Sequence, residues 1–590
     1  MRLIKTAIDF ADYDNNQDSI LLGDWCLKDL EDILGSVDRY NKVPYHWDDR
    51  EKYAGDYIYL TSLYETRLSQ LAHLLNTIHS TNYDLTYWRI VVGPWLRYFI
   101  DALFDRYECL RRAKSVGTIT NTTAYSYDLV DVCPADFVEF WNDFTTDEWN
   151  EIILSECFQD LEIPYTQSSE NLVFRNRAKR KDPTSFDILR AKLIGLANVY
   201  SKLLGRLQSG PVIVSAYVPF KKIINFHFRL KKLPYFFKLT LDFPPSKRNL
   251  SLREKLSNIT FASKGFESVL ARLIPLFIPK SYVEDFPKLR ANALKTLPKN
   301  PTSIFTANAY QADEMFKVWA AENQLLGIPL LIGQHGGTFG MASVHQSEEH
   351  QLRTANNFVT WGWESVGCDK IVRLPSMQLS DRASIKRNQN GSVLHVLSSF
   401  PRYFYQYYSM PAAGQYLAYI KNQIKFLSEL DEDVLDKTRI RLDASSSNRA
   451  WDTAKALSIA GYNSRIDRSN DRLLSLLGSS RLCVCTNNAT VFLETLALDF
   501  PTIIFWEPSH HEIRSDAVPF FEILEEAEIL FYAPEDAARK VNDVSTNVDQ
   551  WWHSDSVQMA RKKFCERYAA TSSDWAHEWG EFLLGAKKIL

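Results

Sequence analysis

Short apolar runs alternate with longer segments of helical periodicity over the second two-thirds of the chain. A short apolar run between turn residues is typical of a buried strand, and apolar positions three or four residues apart are typical of a helix face. The predicted strands cover 211–218, 303–307, 329–333 and 357–361 in a first series, and 392–398, 438–442, 482–485, 502–506 and about 529–532 in a second. Strands that alternate with helices predict a parallel sheet covered by helices.

A polar stretch without periodicity, residues 380–391, separates the two series. We therefore predict a linker there and an α/β fold with two facing Rossmann-type lobes and a cleft between them. The first lobe is predicted over 1–385, the second over 386–560, and a last helix over 561–590 returns to the first lobe. Residues 50–207 have mainly helical periodicity, broken at Gly93-Pro94, and predict a large helical insertion in the first lobe.

One stretch of the second series, residues 482–508, predicts a strand, a turn, a helix and another strand. Its polar residues are Thr486, Asn487, Asn488, Thr490 and Glu494. In a parallel sheet such a turn lies at the amino end of a helix, where N–H groups and the helix dipole favour phosphate. Glu494, one turn later, is placed to accept hydrogen bonds from ribose hydroxyls. The alternative, that these side chains only cap a helix, stays open.

Other polar turns follow predicted strands and should face the same cleft. Their candidate substrate-binding residues are Gln334, Gly336 and Gly337 in the first lobe and Ser398, Ser399, Arg402, Arg441 and His511 in the second. The glycine-rich turn 333–340 also holds His335, a candidate phosphate donor or acid–base group, or a residue that only braces its loop. Arg402 is predicted to clamp a phosphate or carboxylate.

Composition narrows the class of protein. The chain has 590 residues, 45% of them hydrophobic, and a net charge of −4, which indicates a large globular protein without nucleic acid as its main partner. The eight cysteines are scattered, and no zinc spacing, GxSxG elbow or GxxxxGK[ST] loop occurs. We expect no metal site. The acidic start and the lack of a long apolar run predict a cytoplasmic location, and the basic, aromatic residues 220–247 leave peripheral membrane contact open.

Several motifs together resemble a family of bacterial surface-carbohydrate transferases encoded at O-antigen loci. They are LLGDWC (21–26), PYHWDDREKY (44–53), YWRIVVGPWL (87–96), IGQHGGTFG (332–340), TWGWE (360–364) and TNNATVFLETLALDFPTIIFW (486–506). The family is similar in plan to GT-B glycosyltransferases, some of which use CMP-activated acidic sugars. The resemblance implies a GT-B-like fold and a metal-independent transferase without a cofactor, which moves a sugar from a nucleotide-sugar donor to a glycan or lipid-linked glycan acceptor such as O-antigen, lipopolysaccharide or capsule.

Such a reaction needs a base for the acceptor hydroxyl and positive groups or N–H dipoles for the departing phosphate. The candidate catalytic residues are Asp24, His46, Asp48, Asp49, Glu51 and His335. Charged residues crowded at a helix start are also common as caps and ion-pair partners. A nucleotide-sugar epimerase, a polyol-phosphate transferase and a non-catalytic scaffold of a glycan assembly complex remain as alternatives.

Overall fold

The structure is a computed structural model of the chain. It describes residues 1–11, 18–27, 40–128, 132–174, 196, 199–201, 203–205, 207–234, 243–258, 264–365, 367–382, 385–443 and 450–586. The carboxyl-terminal part of the predicted helical insertion, 175–207, lies mostly outside these ranges, although 196, 199–201, 203–205 and 207 are helical.

The strands are short, and most of those after residue 209 lie close to the predicted runs. They are β1 (Arg2–Ile4), β2 (Ser19–Leu21), β3 (Thr123–Tyr127), β4 (Thr166–Leu172), β5 (Gly210–Val214), β6 (Pro301–Thr306), β7 (Leu330–Gly333), β8 (Asn357–Thr360), β9 (Ile371–Arg373), β10 (Ser392–Val396), β11 (Thr438–Arg441), β12 (Ser480–Cys485), β13 (Thr502–Phe505) and β14 (Leu530–Phe531).

The α-helices with bounds inside the described residues follow the predicted periodicity. They are α1 (Ala7–Phe10), α2 (Arg50–His79), α3 (Leu85–Val91), α4 (Gly93–Val116), α5 (Phe137–Asp143), α6 (Asp147–Glu156), α7 (Phe158–Leu161), α8 (Phe220–Arg229), α9 (Leu250–Glu254), α10 (Phe266–Phe277), α11 (Phe286–Thr296), α12 (Ala309–Ala312), α13 (Glu314–Leu325), α14 (Gln346–Thr354), α15 (Tyr416–Ser428), α16 (Glu432–Asp436), α17 (Thr453–Ile459), α18 (Leu473–Gly478), α19 (Thr490–Ala497), α20 (Val518–Glu526), α21 (Pro534–Val544), α22 (Val548–Trp552), α23 (Asp555–Tyr568) and α24 (Trp575–Gly585). Short 3-10 turns cover Asp24–Cys26, Lys255–Asn258, Lys280–Tyr282, Ala413–Gln415, Asn463–Arg465 and Pro508–His510.

Two five-stranded sheets carry the fold. The first has the order β5-β6-β7-β8-β9 and the second the order β11-β10-β12-β13-β14. Every pairing in both sheets is parallel. The α/β class predicted from the alternation is therefore confirmed, because parallel neighbours require the helical crossovers that the sequence pattern shows.

The amino-terminal part is less purely helical than predicted. Strand β1 pairs with β2, and β3 pairs with β4, all in parallel. Isolated bridges from Arg2 to Asn121 and from Leu21 to Lys42 extend this small parallel sheet. The stretch 50–207, predicted as a helical insertion, thus also contributes strands, since 123–127 and 166–172 were too polar to stand out as apolar runs.

Helix α24 covers the first sheet rather than the second. Trp575 and Trp579 are buried in one cluster with Ile213, Phe305 and Val359, which come from strands β5, β6 and β8. The Trp579 indole also donates to the carbonyl of Pro375 at 2.8 Å. The described part of 561–590, predicted as one helix, divides into the end of α23 and α24, and α24 is the part that packs on the first sheet.

Candidate functional site

The turns after strands β7 and β12 touch each other directly. The Gly337 N–H donates to Thr490 Oγ1 at 3.0 Å. A Cβ on Gly337 would lie 2.3 Å from the carbonyl carbon of Ala489, so only glycine permits this approach. We call the contact of residues 333–343 with residues 486–490 and 507–514 the seam. It joins the carboxyl edges of the two sheets.

A second part of the seam is a short antiparallel pairing of loops. Ala342 bridges Ile513, the Ser343 N–H donates to the Glu512 carbonyl at 3.0 Å, and the Arg514 N–H donates to the Met341 carbonyl at 2.9 Å. These main-chain bonds set the register between the two loops, so the turns on either side of the seam face each other in a fixed arrangement.

The Thr486 hydroxyl is used within the second sheet. It donates to the Val396 carbonyl at 2.9 Å and lies 2.8 Å from the hydroxyl of Tyr419. Tyr419 in turn accepts the Ser398 N–H at 2.8 Å. Thr486 therefore holds the turns after β10 and β12 together and has little capacity left for a ligand.

Asn487, Ser398 and His511 form a chain of side-chain contacts across three turns. The Asn487 amide lies 3.1 Å from Ser398 Oγ and 2.9 Å from His511 Nε2, and His511 Nδ1 lies 2.9 Å from the Glu507 carbonyl. Burial lowers the pKa of His511 to about 3, so the ring is neutral near pH 7. Asn487 Nδ2 donates to Ser398 Oγ and Asn487 Oδ1 lies beside His511 Nε2, so this one amide links the three turns.

Helix α19 begins at the seam without a side-chain cap, because its N-cap residue is Ala489. Asn488, next to it, is fully buried, and neither its amide nitrogen nor its amide oxygen has a partner among the described residues. An unpaired buried polar group costs about 1–3 kcal/mol. This amide, beside open helix N–H groups, is the feature of the second sheet that points most directly to a ligand.

Glu494 is paired in this structure. Its carboxylate accepts from Gln378 Nε2 at 3.0 Å and from Arg382 at 3.1 Å. Gln378 and Arg382 also line a cavity of about 500 Å³ with residues 213–220 from the carboxyl end of β5. Glu494 thus lies behind a cavity at the edge of the first sheet, and a ribose would have to compete with these partners.

His335 lies on the first-sheet side of the seam, half-buried among aromatic rings. The centroids of Phe339 and Tyr217 lie 5.2 and 5.7 Å from its own. Burial lowers the pKa of His335 to about 4, partly opposed by a hydrogen bond with the Gly333 backbone. Its Nδ1 is buried without a partner. The imidazole is therefore neutral at pH 7 and has a nitrogen available for a substrate.

The side chain of Gln334 braces its loop. Its Oε1 accepts from the Trp361 N–H at 3.0 Å and the Trp363 indole at 2.8 Å, while its Nε2 donates to Gly336 O at 2.9 Å. All of these bonds are internal, so Gln334 shapes the turn that carries Gly336 and Gly337.

Arg402 does not face the seam and is not the predicted clamp. Its guanidinium donates to Asp147 at 2.6 Å and to the Trp25 carbonyl at 2.9 Å, in a buried environment. It ties the second sheet to the amino-terminal part of the chain. Arg441 donates to the Asp471 carbonyl at 3.2 Å at the sheet edge, and Ser399 is half-buried beside Ser398.

Two of the predicted base candidates lie in ion pairs. Asp24 binds Lys42 at 2.6 Å. His46 is buried, with Nε2 3.1 Å from Asp105, which also accepts from Tyr45 at 2.7 Å and Arg106 at 2.9 Å. Although burial raises the pKa of Asp105, the bond from His46 and the charge of Arg106 hold it below its usual range.

The remaining base candidates lie where α2 begins. Asp49 is the exposed N-cap of that helix and accepts the Lys52 N–H at 3.0 Å. Asp48 accepts from Gln415 at 3.1 Å and is exposed, and Glu51 is exposed in the first turn. Of these three, only Asp49 caps the helix. In this region Arg50 reaches the seam, through a bond of 2.5 Å to Glu512.

One group among the described residues has the spacing of metal ligands, namely His46, Asp105 and Cys109. The hydrogen bonds of Asp105 already occupy both of its oxygens, and burial raises the pKa of the Cys109 thiol well above its usual range. This donor set fits a metal ion poorly.

Some residues that bond to the turns of the seam, or lie behind them, could not be identified from the sequence. Tyr419 and Arg382 lie on a helix and in the linker, far in sequence from the turns that they hold. Glu348 accepts from Arg514 at 3.0 Å and from the Gly340 N–H at 2.7 Å, which closes the seam from the first-sheet side.

Comparison with protein families decides the affiliation of the chain. The model of the LIC12162 family transferases matches residues 1–583. The chain belongs to this family. The family's description makes it a transferase and is consistent with the resemblance seen in the motifs, several of which, including residues 332–340 and 486–506, form or adjoin the seam.

Solved structures with similarity to this family member include MurG of Acinetobacter baumannii, with 11% identity, 64% of this chain and 99% of that chain covered, and a TM-score of 0.33. Another is WaaG, a glycosyltransferase involved in lipopolysaccharide biosynthesis, with 10% identity, coverage of 51% and 95%, and a TM-score of 0.27. No curated protein sequence matches the chain. Among the described residues, no helix has both the length and the apolar character needed to span a bilayer.

Proposed function

We propose that the chain is a GT-B-type glycosyltransferase that moves a sugar from a nucleotide-activated donor to a surface-glycan acceptor. The observation that carries this proposal is the uncapped start of α19 beside Asn488, whose buried amide has no partner. N–H groups at a helix start bind phosphate oxygens well. A nucleotide phosphate there would satisfy both the helix N–H groups and the orphaned amide.

The reaction breaks the bond between the anomeric carbon and the phosphate oxygen and forms one to an acceptor oxygen. The negative charge that develops on the phosphate is met by the N–H groups of α19 and by the Thr490 hydroxyl, which accepts from Gly337 and keeps its own hydrogen free to donate. We assign the acceptor proton to His335, whose Nδ1 is unpaired and whose ring is neutral at pH 7. No metal ion enters this scheme.

Within this proposal the donor is a CMP-activated acidic sugar and the reaction takes place in the cytoplasm, at the inner face of the membrane. The donor class is supported by the resemblance of the motif at 486–506, with the others, to a family similar in plan to enzymes that use such donors. Exposed Phe220 and Phe228 on α8, beside Lys221 and Arg229, support membrane contact. Co-sedimentation with anionic vesicles tests that contact, and recovery of all the protein in the supernatant would remove it from the proposal.

Thermal unfolding with CMP, CDP, UDP, GDP or ADP, each with and without magnesium, tests the site. A nucleotide at a hundred times its dissociation constant adds about 2.7 kcal/mol of stability. We expect one nucleotide to act, independently of magnesium, and Thr490→Ala to abolish the response. Thr77→Ala, an exposed position on α2, is the control and should keep it. A protein that responds to none of the nucleotides would favour a scaffold, and product analysis separates transfer from epimerisation or polyol-phosphate transfer.

A further inference from the structure

A second cavity, of about 850 Å³, opens at the carboxyl ends of β5 and β6, next to the strand that leads into the seam. Its polar lining consists mainly of acidic residues. The acidic residues are Asp136, Glu139, Asp285, Asp313 and Glu314, and the other polar residues are Ser215, Ser281 and Asn308. No lysine, arginine or histidine belongs to the lining within the described part of the chain. We call this cavity the acidic pocket.

Glu314 organises the pocket from behind. Its Oε1 accepts the Phe137 N–H at 2.9 Å and the Tyr282 hydroxyl at 2.8 Å, and its Oε2 pairs with buried Lys317 at 3.1 Å. Asp136, Ser281 and Asp313 each directly precede Phe137, Tyr282 or Glu314 in the chain. The hydrogen bonds of Glu314 therefore bring three separate segments to one wall of the pocket, and with them the side chains of Asp136, Ser281 and Asp313.

Asp136 and Asp313 retain hydrogen-bonding capacity. Each is the N-cap of a helix and uses Oδ1 to accept a backbone N–H, at 2.9 Å from Glu139 and 2.9 Å from Phe316 respectively. The described residues provide no ion pair to either carboxylate. Capping uses part of the hydrogen-bonding capacity of each carboxylate, and the buried Lys317 ammonium supplies the opposite charge that acts on both.

Ser281 gives an independent sign of a ligand. It is 1% exposed and lines the pocket, and its hydroxyl has no partner among the described residues. Its backbone N–H donates to the Ala135 carbonyl at 2.9 Å, which fixes it beside Asp136. A buried hydroxyl without a partner is costly unless something in the pocket bonds to it.

The charge of the pocket selects against anions. Burial raises the pKa of Asp136 and raises that of Asp313 to about 7, because the charge of Lys317 and the capping N–H groups only partly offset the loss of water. A phosphate or carboxylate ligand would add to this repulsion. A divalent metal is also disfavoured, because among the residues described the acidic side chains of the pocket do not gather into a group of three with the spacing of metal ligands.

We propose that the acidic pocket binds a sugar that carries a free amino group, as part of the acceptor. An ammonium offers three donors, which matches the free oxygens of Asp136 and Asp313 and the Ser281 hydroxyl. The apolar Val138, Phe243 and Met315 in the lining would contact the ring. This inference rests on the proposed glycosyl transfer and adds that the two substrates are sorted by charge, the anionic donor at the seam and the cationic acceptor in the pocket.

Saturation-transfer NMR on the full chain tests this with glucosamine, N-acetylglucosamine and glucuronate as probes. We expect a saturation-transfer signal for glucosamine. Asp136→Asn and Asp313→Asn should each bind glucosamine about tenfold more weakly, because each variant loses a charged hydrogen bond. Ser281→Ala should also bind it more weakly. Asp452→Asn, which alters an exposed N-cap on α17, is the control and should bind normally. Thermal unfolding of each variant confirms that it is folded.

Three results would overturn the proposal: no glucosamine signal, equal signals for glucosamine and its acetylated form, or equal losses in the control and the pocket variants. Displacement of glucosamine by magnesium would assign the pocket to a metal and overturn it as well. The nucleotide response is measured on the same samples. Glucosamine binding without any nucleotide response would support the acidic pocket and refute the proposed transfer. A nucleotide response without glucosamine binding would refute the pocket proposal and support the transfer.

Discussion

Replacing Gly337 by alanine should separate the two sheets at the seam. The new methyl carbon would lie 2.3 Å from the Ala489 carbonyl carbon and 2.5 Å from its oxygen, where ordinary contacts are about 3.5–4 Å. Backbone on both sides would have to move by more than about 1 Å, which costs about 1–3 kcal/mol as overpacking. Loss of the bond from Gly337 N–H to Thr490 adds about 1 kcal/mol. Alanine has fewer accessible conformations than glycine in the unfolded chain, which stabilises the folded protein by about 0.4–1 kcal/mol and offsets part of this loss.

The expected net loss is therefore about 1–3 kcal/mol, measured as a lower midpoint of urea unfolding followed by tryptophan fluorescence, with an unchanged slope. Gly55→Ala is the matched control, because Gly55 lies inside α2 and nothing lies within 4 Å of the added carbon. There we expect a gain of about 0.5–1 kcal/mol. If the two variants had the same midpoint, the seam would not be the tight contact described, and the reasoning from glycine to close approach would fail.

Three further predictions follow from single side chains. Arg402→Ala should cost about 3–5 kcal/mol in urea unfolding, because Asp147 stays buried after losing the opposite charge of Arg402, and nucleotide affinity should be unchanged; a small loss would place this pair at the surface instead. His335→Gln should lower kcat by about 10²–10⁴-fold with little effect on the nucleotide dissociation constant, and an unaltered kcat would remove it as the base. Burial lowers the pKa of His395 to about 3, so the unfolded chain takes up a proton at this residue below about pH 6.5, and the free energy of unfolding falls as the pH drops from 6.5 towards 3. In urea unfolding at each pH, His395→Gln should flatten this fall by about 1.4 kcal/mol per pH unit. An identical slope in the variant would contradict the assignment.

The sequence pattern predicted the parallel sheets because their strands are buried on both faces and stand out as apolar runs. Strands β5–β8 and β10–β14 fall within or next to the predicted runs. The sequence pattern did not predict β3 and β4, which are polar and partly exposed, or β1, which is only three residues long. Such strands are specified by their neighbours and not by their own residues, so periodicity could not find them.

The candidate site could also be predicted only in part. Turns after buried strands could be located, and the structure brings residues 334–340 and 486–490 together as the facing lobes required. Which side chains are free could not be predicted, because the partners of Thr486, Arg402 and Glu494 lie about 70 to 250 residues away in the chain. The acidic pocket was missed for the same reason, since its three short segments look like ordinary helix caps when each is considered alone.

The position of α24 has a consequence for synthesis of the protein. The first sheet buries Ile213, Phe305 and Val359 beneath Trp575 and Trp579, so this apolar face stays uncovered until the ribosome has added about 200 residues after Val359. At about 5–20 residues per second, that delay is roughly 10–40 seconds. During this time the nascent sheet is exposed to aggregation and to chaperones. A ribosome stalled between the second sheet and Trp575 should therefore yield a product that binds chaperones although most of the chain has been made.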